Sequence, residues 1–258
     1  MVEGVKVVQE ALAGDVDVES IYVDRSRDHH DPALDTLLAD AYTAGIRVFD
    51  LAPGVLERVA GTVTPQPVLA VVRQMDVPLE RLRRPEGDHA ELIVVAVELR
   101  DPGNAGTVLR SAEAAGATGL VCTDGSVDLF NPKTVRASAG ALFRLPVVAG
   151  GDPATVLAEL GSWGLTRLAS TPRGGASYTD VDLAGPVALV LGNEAHGLPA
   201  ALDAEIDGRV SIPMSGRAES LNAGMAGAVL CFEAARQRRA AAPAPVAPEP
   251  LATAGVGS

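Results

Sequence analysis

Leu189-Val-Leu-Gly-Asn-Glu-Ala-His-Gly-Leu198 is an apolar run that ends in a loop of Gly, Asn, Glu and His. A second passage of this kind, Ile212-Pro-Met-Ser-Gly-Arg-Ala-Glu-Ser-Leu-Asn222, follows it along the chain. Strand-like runs that open into irregular polar loops are typical of α/β proteins, which bind ligands at the carboxyl ends of their strands. The two passages therefore predict an α/β fold with a ligand site in these loops.

Outward from these passages, apolar runs alternate with helical patterns over the larger part of the chain. This alternation predicts a mostly parallel sheet that is covered by helices on both faces. The clearest helical pattern is the last one, whose apolar face we expect to pack on the sheet or on a partner subunit. That face carries Leu221, Met225, Val229 and Phe232. The predicted strands are 91–97, 119–121, 145–148, 165–170 and 186–191, and the predicted helices are 104–115, 153–163 and 220–238.

The chain divides into four parts by composition. Residues 1–75 hold short strands at 21–23, 46–49 and 68–72 and helices at 33–44 and 53–60, which predicts a small α/β domain. Residues 76–89 are charged and poor in apolar side chains, as expected of a linker. Residues 90–239 form the larger domain, and the Pro/Ala-rich residues 240–258 are predicted to be a disordered tail.

Composition limits the classes of function. The 258 residues are 47% hydrophobic, enough for a substantial core, yet no apolar run reaches the ~20 residues that span a bilayer. The start of the chain does not look like a signal sequence, so we expect a cytoplasmic protein with no membrane partner. Cys122 and Cys231 have no metal-ligand neighbours at suitable spacing, which predicts buried thiols and no metal. A formal net charge of −12 means that any nucleic-acid binding depends on local basic patches.

Three blocks together resemble the SpoU (TrmH-like) RNA ribose 2′-O-methyltransferases of the SPOUT superfamily. They are Asn104-Ala-Gly-Thr-Val-Leu-Arg110, Leu191-Gly-Asn-Glu-Ala-His-Gly197, and Ile212-Pro-Met214 with Ser220-Leu-Asn222. The resemblance covers residues 90–239 and includes Asn131-Pro-Lys-Thr-Val-Arg-Ala-Ser-Ala-Gly140. Residues 2–6 and 61–68 resemble the L30e-like substrate-binding domain of many members. Within the family, the pattern is closest to ribosomal RNA enzymes, including the thiostrepton-resistance type.

The resemblance implies S-adenosylmethionine as cofactor, structured RNA as substrate, most simply ribosomal RNA, and a homodimer. It also implies that the C-terminal third is threaded into a trefoil knot, although periodicity alone suggests an ordinary doubly wound sheet and knots are rare. Many relatives carry a basic helical segment before the Glu-Gly pair at which this chain begins. We therefore expect either a shortened start or weaker RNA capture at that end.

The resemblance also assigns residues to roles. The resemblance implies Arg110 as the base that deprotonates the 2′-hydroxyl. Because a guanidinium stays protonated in proteins, we expect Arg110 instead to grip the target phosphate and to stabilise the developing alkoxide, with the base role as an alternative. Another alternative for Arg110 is a helical ion pair with Glu113. The catalytic set is Asn104, Arg110, Glu194, Ser220 and Asn222, and the cofactor-binding set is Thr171, Leu191, Gly192, Asn193, Gly197, Ile212, Met214 and Leu221.

Several of these residues have plainer interpretations. Asn104 and Ser220 each precede a helical run, where Asn and Ser are good N-caps, and Asn222 could also serve at the start of the last helix. Glu194 could orient neighbouring groups, accept a proton if its pKa were raised, or be a solvated loop residue. His196 is interpreted as incidental. For RNA contact we favour Lys133, Arg136 and Arg144, although basic runs are often only solvated surface.

Three alternatives remain open from the sequence. A Rossmann-type nucleotide enzyme shares the β/α pattern, but Gly103-Asn-Ala-Gly106 lacks the spacing of G-x-G-x-x-G. A transfer RNA methyltransferase would carry the same blocks. A non-catalytic RNA-binding or assembly protein that keeps the cofactor pocket would fit the acidic balance, although the complete catalytic set disfavours it.

Overall fold

Two β-sheets organise this computed structural model, which describes residues 1–14, 16–27, 31–59, 65–83 and 90–241. Within those residues no helix has the length and apolar character needed to cross a membrane. The predicted disordered tail, 240–258, lies outside the described residues except for positions 240 and 241, which are helical.

The smaller sheet belongs to the N-terminal part and has the strand order β1-β4-β2-β3. Strand β2 pairs with β3 in parallel and with β4 antiparallel. Its elements are β1 (Val2–Glu3), α1 (Val5–Ala13), β2 (Val18–Val23), α2 (Pro32–Thr43), β3 (Arg47–Asp50), α3 (Leu56–Val59) and β4 (Val68–Val72).

The larger sheet has seven strands in the order β7-β6-β5-β10-β8-β11-β9, and each pairing between them is parallel. This agrees with the expected mostly parallel sheet. Its strands are β5 (Leu92–Ala96), β6 (Gly119–Cys122), β7 (Val147–Ala149), β8 (Thr166–Ser170), β9 (Ala176–Ser177), β10 (Val187–Leu191) and β11 (Gly208–Ser211). Its helices are α4 (Pro102–Ala114), α5 (Pro132–Ser138), α6 (Pro153–Ser162) and α7 (Ala223–Ala241).

Four helices begin with the same two-residue signal, an Asp or Asn followed by Pro. The side chain of the first residue accepts a backbone N–H of the first turn, and Pro occupies a position whose N–H has no partner in any helix. The pairs are Asp31-Pro32 for α2, Asp101-Pro102 for α4, Asn131-Pro132 for α5 and Asp152-Pro153 for α6.

The central strands β5 and β10 are buried along their whole length, which explains why their sequences are continuously apolar. Alternate residues of β5 face two separate cores. Leu92, Val94 and Ala96 pack in a cluster with residues of α4 and α7, while Ile93 and Val95 pack in a cluster with residues of α6. The sheet is thus covered on both faces, and α4 and α7 lie on the same face.

Close helix contacts on that face depend on glycine. A Cβ atom at Gly106 of α4 would lie 2.3 Å from the Cβ atom of Ala137 in α5. A Cβ atom at Gly224 of α7 would lie 3.1 Å from Thr107 Cβ, so α7 also approaches α4 closely. Small residues at these crossings allow the three helices to pack almost backbone to backbone.

The buried face of α7 differs from the predicted one. Met225 and Phe232, which we expected to share a packed face, are 54% and 47% exposed. The buried residues of α7 include Gly224, Gly227 and Cys231, because the tight approach to α4 selects small side chains. Met225 and Phe232 are therefore left for the other expected contact of this face, packing on a partner subunit.

The end of α7 is anchored by one side chain. The guanidinium of Arg238 donates to the backbone carbonyls of Leu183 (3.1 Å), Gly185 (2.7 Å) and Glu91 (2.9 Å), and also to Ala90. These carbonyls lie just before β5 and β10, so Arg238 fixes the last helix to the amino ends of the two central strands. Burial lowers the pKa of Arg238 from its ordinary value.

The segment predicted to be a linker, 76–89, is partly structured. Residues 84–89 lie outside the described residues, but 79–82 form a 3₁₀ turn in which Leu82 is buried against Gly119. The N–H of Val77 donates to the carbonyl of Val147 at 2.9 Å. Apolar side chains spaced among the charges thus attach this segment to the larger sheet.

Candidate active site

One cavity of about 470 Å³ lies where β8, β10 and β11 end. All eight residues that we expected to hold the cofactor line this cavity, together with Glu194 and Ser220 of the expected catalytic set. They come from three chain segments that are separate in sequence: the turn after β8, the loop after β10, and the stretch between β11 and α7. The carboxyl edge of the sheet therefore forms the pocket that the opening sequence passages predicted.

The loop after β10 is shaped by its own polar groups. Asn193 Oδ1 accepts the N–H groups of Ala195 (2.9 Å) and His196 (3.1 Å), and Asn193 Nδ2 donates to the carbonyl of Glu98 at 2.9 Å. A Cβ atom at Gly192 would lie 2.4 Å from the carbonyl carbon of Gly197. The two glycines let this loop close on itself, and both the side chain and the backbone of Asn193 hold its shape, since the backbone exchanges two hydrogen bonds with Gly197.

Apolar side chains from β10 and from the stretch between β11 and α7 also line the cavity. Leu191 lies at the end of β10, and Ile212, Met214 and Leu221 line the wall that precedes α7. Thr171 donates through Oγ1 to the carbonyl of Arg173 at 2.8 Å, and its own N–H donates to Val210. The cavity thus combines an apolar wall with a polar rim, as small-molecule sites usually do.

Glu194 is the polar centre of the site. Its carboxylate accepts the backbone N–H of Arg100 at 3.2 Å, the N–H of Asp101 at 3.1 Å and Nδ2 of Asn104 at 3.1 Å. Burial by itself raises the pKa of Glu194, but these hydrogen bonds outweigh it, so the pKa lies below its ordinary value. Glu194 therefore connects the loop after β10 to the start of α4, and the raised pKa that a proton-accepting role requires is not found.

The structure contradicts the alternative interpretation of Asn104 and Ser220 as helix caps. Asp101, not Asn104, caps α4, because its Oδ1 accepts the N–H of Asn104 at 2.8 Å. Asn104 lies inside the first turn, which leaves its side chain free to reach Glu194. At the other helix, Asn222 Oδ1 accepts the N–H of Met225 at 2.7 Å, and α7 begins at Ala223, so Ser220 does not cap it.

Arg110 lies on α4 about 9 Å along the helix from Asn104, at ~1.5 Å per residue. It is exposed and is not among the residues that line the cavity. The alternative ion pair with Glu113 is not present, because Glu113 Oε1 accepts Nε of Arg144 at 2.9 Å instead. Within the described part of the chain, no ion pair of Arg110 is found.

The three residues expected to contact RNA separate into two kinds. Lys133 and Arg136 are exposed on α5, and Arg136 faces a cleft between α5 and α1. Arg144 instead binds two carboxylates, Glu113 of α4 and Glu10 of α1. The hydrogen bond with Glu113 is the main cause of a raised pKa for Arg144. Arg144 thus joins the two parts of the molecule, and its predicted contact with RNA stays a prediction, with which these two ion pairs would compete.

Several cavity residues were missed from the sequence. Ser170 and Pro172 flank Thr171, Leu198 follows the loop after β10, and Ala226 lies in the first turn of α7. Arg209 in β11 also lines the cavity and pairs with Asp203 at 2.6 Å. Ser170 and Pro172 could have been found in the sequence, because they lie at the end of a predicted strand. Arg209 could not be placed, because β11 was not predicted as a separate strand.

Comparison with known proteins follows this division of the chain. The profile of the SpoU rRNA Methylase family matches residues 91–232, and the profile described as RNA 2'-O ribose methyltransferase substrate binding matches residues 1–77. The 23S rRNA (guanosine(2553)-2'-O)-methyltransferase RlmP of Bacillus subtilis (strain 168) is 35% identical over 232 residues, covering 90% of this chain and 86% of the relative. The 23S rRNA (guanosine-2'-O-)-methyltransferase RlmB of Xanthomonas axonopodis pv. citri (strain 306) is 35% identical over 240 residues, covering 91% and 95%.

Among solved structures, the SpoU methyltransferase AviRb from Streptomyces viridochromogenes in complex with the cofactor AdoMet is similar to this chain. The TM-score is 0.79 at 30% sequence identity, with 92% of this chain and 89% of that chain covered. The three sequence blocks, the parallel sheet and the pocket at its carboxyl edge thus agree with two family profiles and with relatives matched over most of their length. The chain belongs to the SpoU rRNA methylase family.

Proposed function

We propose that this protein transfers a methyl group from S-adenosylmethionine to the 2′-hydroxyl of a ribose in ribosomal RNA. The observation that carries the proposal is the cavity at the carboxyl edge of the larger sheet, which gathers the whole expected cofactor set beside the Glu194 and Asn104 contact. Relatives matched over most of their length are named as 23S rRNA 2'-O-methyltransferases, which favours ribosomal over transfer RNA.

The residues of the cavity fit S-adenosylmethionine. Its volume of about 470 Å³ is within the usual ~300–1,000 Å³ of small-molecule sites. Leu191, Ile212 and Leu221 offer apolar surface to a flat base, and the loop from Gly192 to Gly197 offers backbone groups to polar atoms. When bound, the cofactor supplies a methyl group on a positively charged sulfur.

The chain's own residues then have to place the ribose and its charge. We assign Arg110 to the phosphate beside the target ribose, where a planar guanidinium can bind two oxygens and stabilise the alkoxide that forms. We assign Glu194 and Asn104 to positioning, because Glu194 is held by three N–H groups and has a lowered pKa. The 2′-hydroxyl proton leaves to water, which reaches the site at the exposed residues Ala195 and His196.

The two remaining members of the catalytic set lie at the start of α7. Ser220 is exposed at the cavity edge, with a hydroxyl available to the ribose or the cofactor. Asn222 caps α7 through its side chain. We therefore assign Asn222 to holding the start of α7 in place, and Ser220 to direct contact.

We also propose that the protein acts as a homodimer. In the single chain Arg110 does not line the cavity, and α7 exposes Met225 and Phe232 on one side. A second copy on that side would cover both apolar side chains and bring further groups to the site. Sedimentation analysis of Phe232→Glu tests this proposal: we expect a dimer for the unchanged protein and a monomer for the variant, and a monomer in both cases would contradict it.

Three further expectations are kept as part of the proposal. The first is a trefoil knot in the C-terminal third, supported by family membership and by the central position of β10 between β5 and β8. The second is the division at residues 75 and 90, supported by the separate sheets and the separate family profiles. The third is a cytoplasmic location, which would follow from the substrate.

Transfer of labelled methyl groups to ribosomal RNA tests the function, with calorimetric titration of S-adenosylmethionine alongside. Arg110→Ala should bind the cofactor normally and lose most of the methyl transfer, and Arg110→Lys should keep part of it through its charge. The matched control is Arg81→Ala, an exposed arginine on the 3₁₀ turn at residues 79–82. Cofactor binding without transfer to any RNA would favour the non-catalytic alternative, and full activity of Arg110→Ala would refute its assigned role.

A further inference from the structure

The smaller sheet carries a stacked pair of aromatic rings on its surface. Tyr22 of β2 and Phe49 of β3 are direct neighbours across the two strands. Their ring centroids are 5.3 Å apart with an interplanar angle of 23°. Tyr22 is partly buried, whereas Phe49 is 42% exposed, which is unusual for a phenylalanine in a folded domain. Phe49 therefore presents part of its ring to the outside.

The helices α1 and α2 pack against the opposite face of this sheet. Successive strand residues point to opposite faces, so Tyr22 and Phe49 share one face while Ile21 and Val23 point to the other. Ile21 and Val23 are buried in the cluster that includes Val8 of α1. Strand β3 is the last strand of the sheet. The ring of Phe49 therefore has Tyr22 of β2 on one side and the free edge of the sheet on the other.

A positive charge lies beside the exposed ring. Arg47 is two residues before Phe49 on the same strand, so both side chains point to the same face, and Arg47 is exposed. No ion pair of Arg47 is found within the described ranges, whereas the nearby Arg73 binds Asp17 and Glu19. In a chain with a formal net charge of −12, a cation that is not neutralised next to an exposed ring is notable.

We propose that Phe49 extends its stack to an unpaired nucleobase of the RNA substrate, while Arg47 binds a backbone phosphate next to that base. This inference rests on the proposed function and adds a contact site in the N-terminal part, which matches the substrate-binding profile over residues 1–77. Stacking of bases on aromatic rings accepts any base, because each base has a π-face, and arginine contributes the phosphate contact.

Another copy of the chain is a poorer occupant of this surface. Arg47 is exposed on the same face as the ring pair, so a second copy seated on Phe49 would also meet this charge. In a symmetric pairing over Phe49 the two copies of Arg47 would approach each other, and like charges repel. A single ring with a charged border also offers less apolar area than a stable protein interface needs. A flat base attached to a phosphate matches both the ring and the arginine.

Fluorescence of an indole introduced by Phe49→Trp tests the stacking directly. Trp163 is the single tryptophan of the chain, so the substitution is made in a Trp163→Phe background. The titrant is a single-stranded oligoadenylate, and the control is an RNA hairpin of equal length that is paired except for a short closing loop. We expect quenching with the single strand and little change with the hairpin, because the bases of the hairpin are already stacked in pairs.

Steady-state methylation of ribosomal RNA gives the second readout. Phe49→Ala should raise the KM for RNA roughly 5- to 150-fold, the range given by the usual strength of one base–aromatic stack, with kcat little changed. Arg47→Ala should also raise KM and should reduce the salt dependence of RNA binding by about one phosphate contact. The matched control is Tyr42→Ala, which removes another exposed aromatic ring of the same part, on α2.

The outcomes separate this inference from the proposed function. If no RNA is methylated, the proposed function fails, and the quenching experiment still decides whether Phe49 stacks with bases. Equal quenching by the hairpin and the single strand, no quenching with either, or a KM for Phe49→Ala equal to that for Tyr42→Ala would overturn the stacking site. A loss of dimer in Phe49→Ala would assign this surface to self-association instead and would also overturn it.

Discussion

Replacing Gly106 by alanine tests why the first sequence block contains a glycine. Gly106 lies in α4 between Asn104 and Arg110, and α5 with Arg136 crosses α4 at this point. The crossing sets the distance between the two helices that carry these side chains. A methyl group at Gly106 therefore changes the position of the proposed site without removing any of its polar groups.

The size of the effect follows from the distances. The new Cβ atom would lie 2.3 Å from Ala137 Cβ and 2.9 Å from both the Ala137 carbonyl carbon and the Thr134 oxygen. Carbon atoms normally pack at ~3.5–4.0 Å, so the helices would have to separate by about 1.2–1.7 Å. Overpacking of this kind costs up to ~3 kcal/mol, and the better helix propensity of alanine returns about 1. The net loss is about 2 kcal/mol.

Thermal unfolding measures the loss of stability, and methyl transfer measures the displacement of the proposed site. At ~2–4 °C per kcal/mol, the melting temperature of Gly106→Ala should fall by about 4–8 °C, and methyl transfer should fall because Arg110 and Arg136 move apart. The control is Gly185→Ala, whose Cβ atom would meet only the Asp182 side chain, at 3.9 Å. The control should behave like the unchanged protein.

A second substitution checks the assigned cause. Ala137→Gly in the Gly106→Ala background removes the 2.3 Å contact but keeps the two 2.9 Å contacts with backbone atoms, so recovery should be partial. In a double-mutant cycle the coupling should exceed ~0.5 kcal/mol. A Gly106→Ala protein that melts and methylates like the unchanged protein would refute the tight crossing.

Three further predictions concern single polar groups. Glu194→Gln should lose less than about 1 kcal/mol of stability above pH ~5, because the lowered pKa of Glu194 stabilises the fold above the ordinary carboxyl pKa while solvent screens this exposed side chain. The difference from the unchanged protein should shrink as the pH falls through the folded-state pKa; chemical unfolding against pH measures it. Arg144→Met should lower the free energy of unfolding by about 1 kcal/mol at low salt, because Glu10 and Glu113 lose their common partner. In ~1 M NaCl, where exposed ion pairs are screened, the loss should almost vanish, and an equal loss of melting temperature in both salts would contradict this role of the ion pairs. Arg238→Met should lower the free energy of unfolding by about 2–4 kcal/mol, because several backbone carbonyls lose a charged hydrogen-bond donor. An unchanged midpoint of urea unfolding would contradict the anchoring role of Arg238.

The central strands were the most predictable part of the fold. The run at 68–72 coincides with β4, and the run at 186–191 contains β10, because strands buried on both faces are continuously apolar and stop at polar turns. Helix α5 has only seven residues, too short to show a periodic apolar face, so it was not predicted. Helix α1 was also not predicted.

The faces of helices were less predictable than their positions. The apolar pattern of α7 pointed to Met225 and Phe232, but the helix is buried along Gly224, Gly227 and Cys231. Patterns of large apolar residues locate ordinary packing and miss helices that meet through glycine. The small residues carry no hydrophobic signal, and their role becomes visible only when the neighbouring helix is in place.

The proposed site shows the same limit. The residues around the cavity were found because motif blocks follow strand ends, and all of the expected cofactor set lies there. The partners of single side chains were not predictable, because they come from distant segments. Glu194 meets Asn104, which is 90 positions away, and Arg144 meets Glu10, which is 134 positions away. Pairings over such distances depend on the packing of whole elements.

The position of the transferred methyl group distinguishes methylation of the ribose 2′-hydroxyl from methylation of a base. Ribosomal RNA labelled by the protein with methyl-tritiated S-adenosylmethionine is digested with alkali, which cleaves RNA through free 2′-hydroxyls and leaves a methylated ribose in an alkali-resistant dinucleotide. We expect the label in dinucleotides, and we expect Arg110→Ala to reduce it strongly. Label recovered in mononucleotides would place the methyl group on a base and would refute 2′-O-methylation.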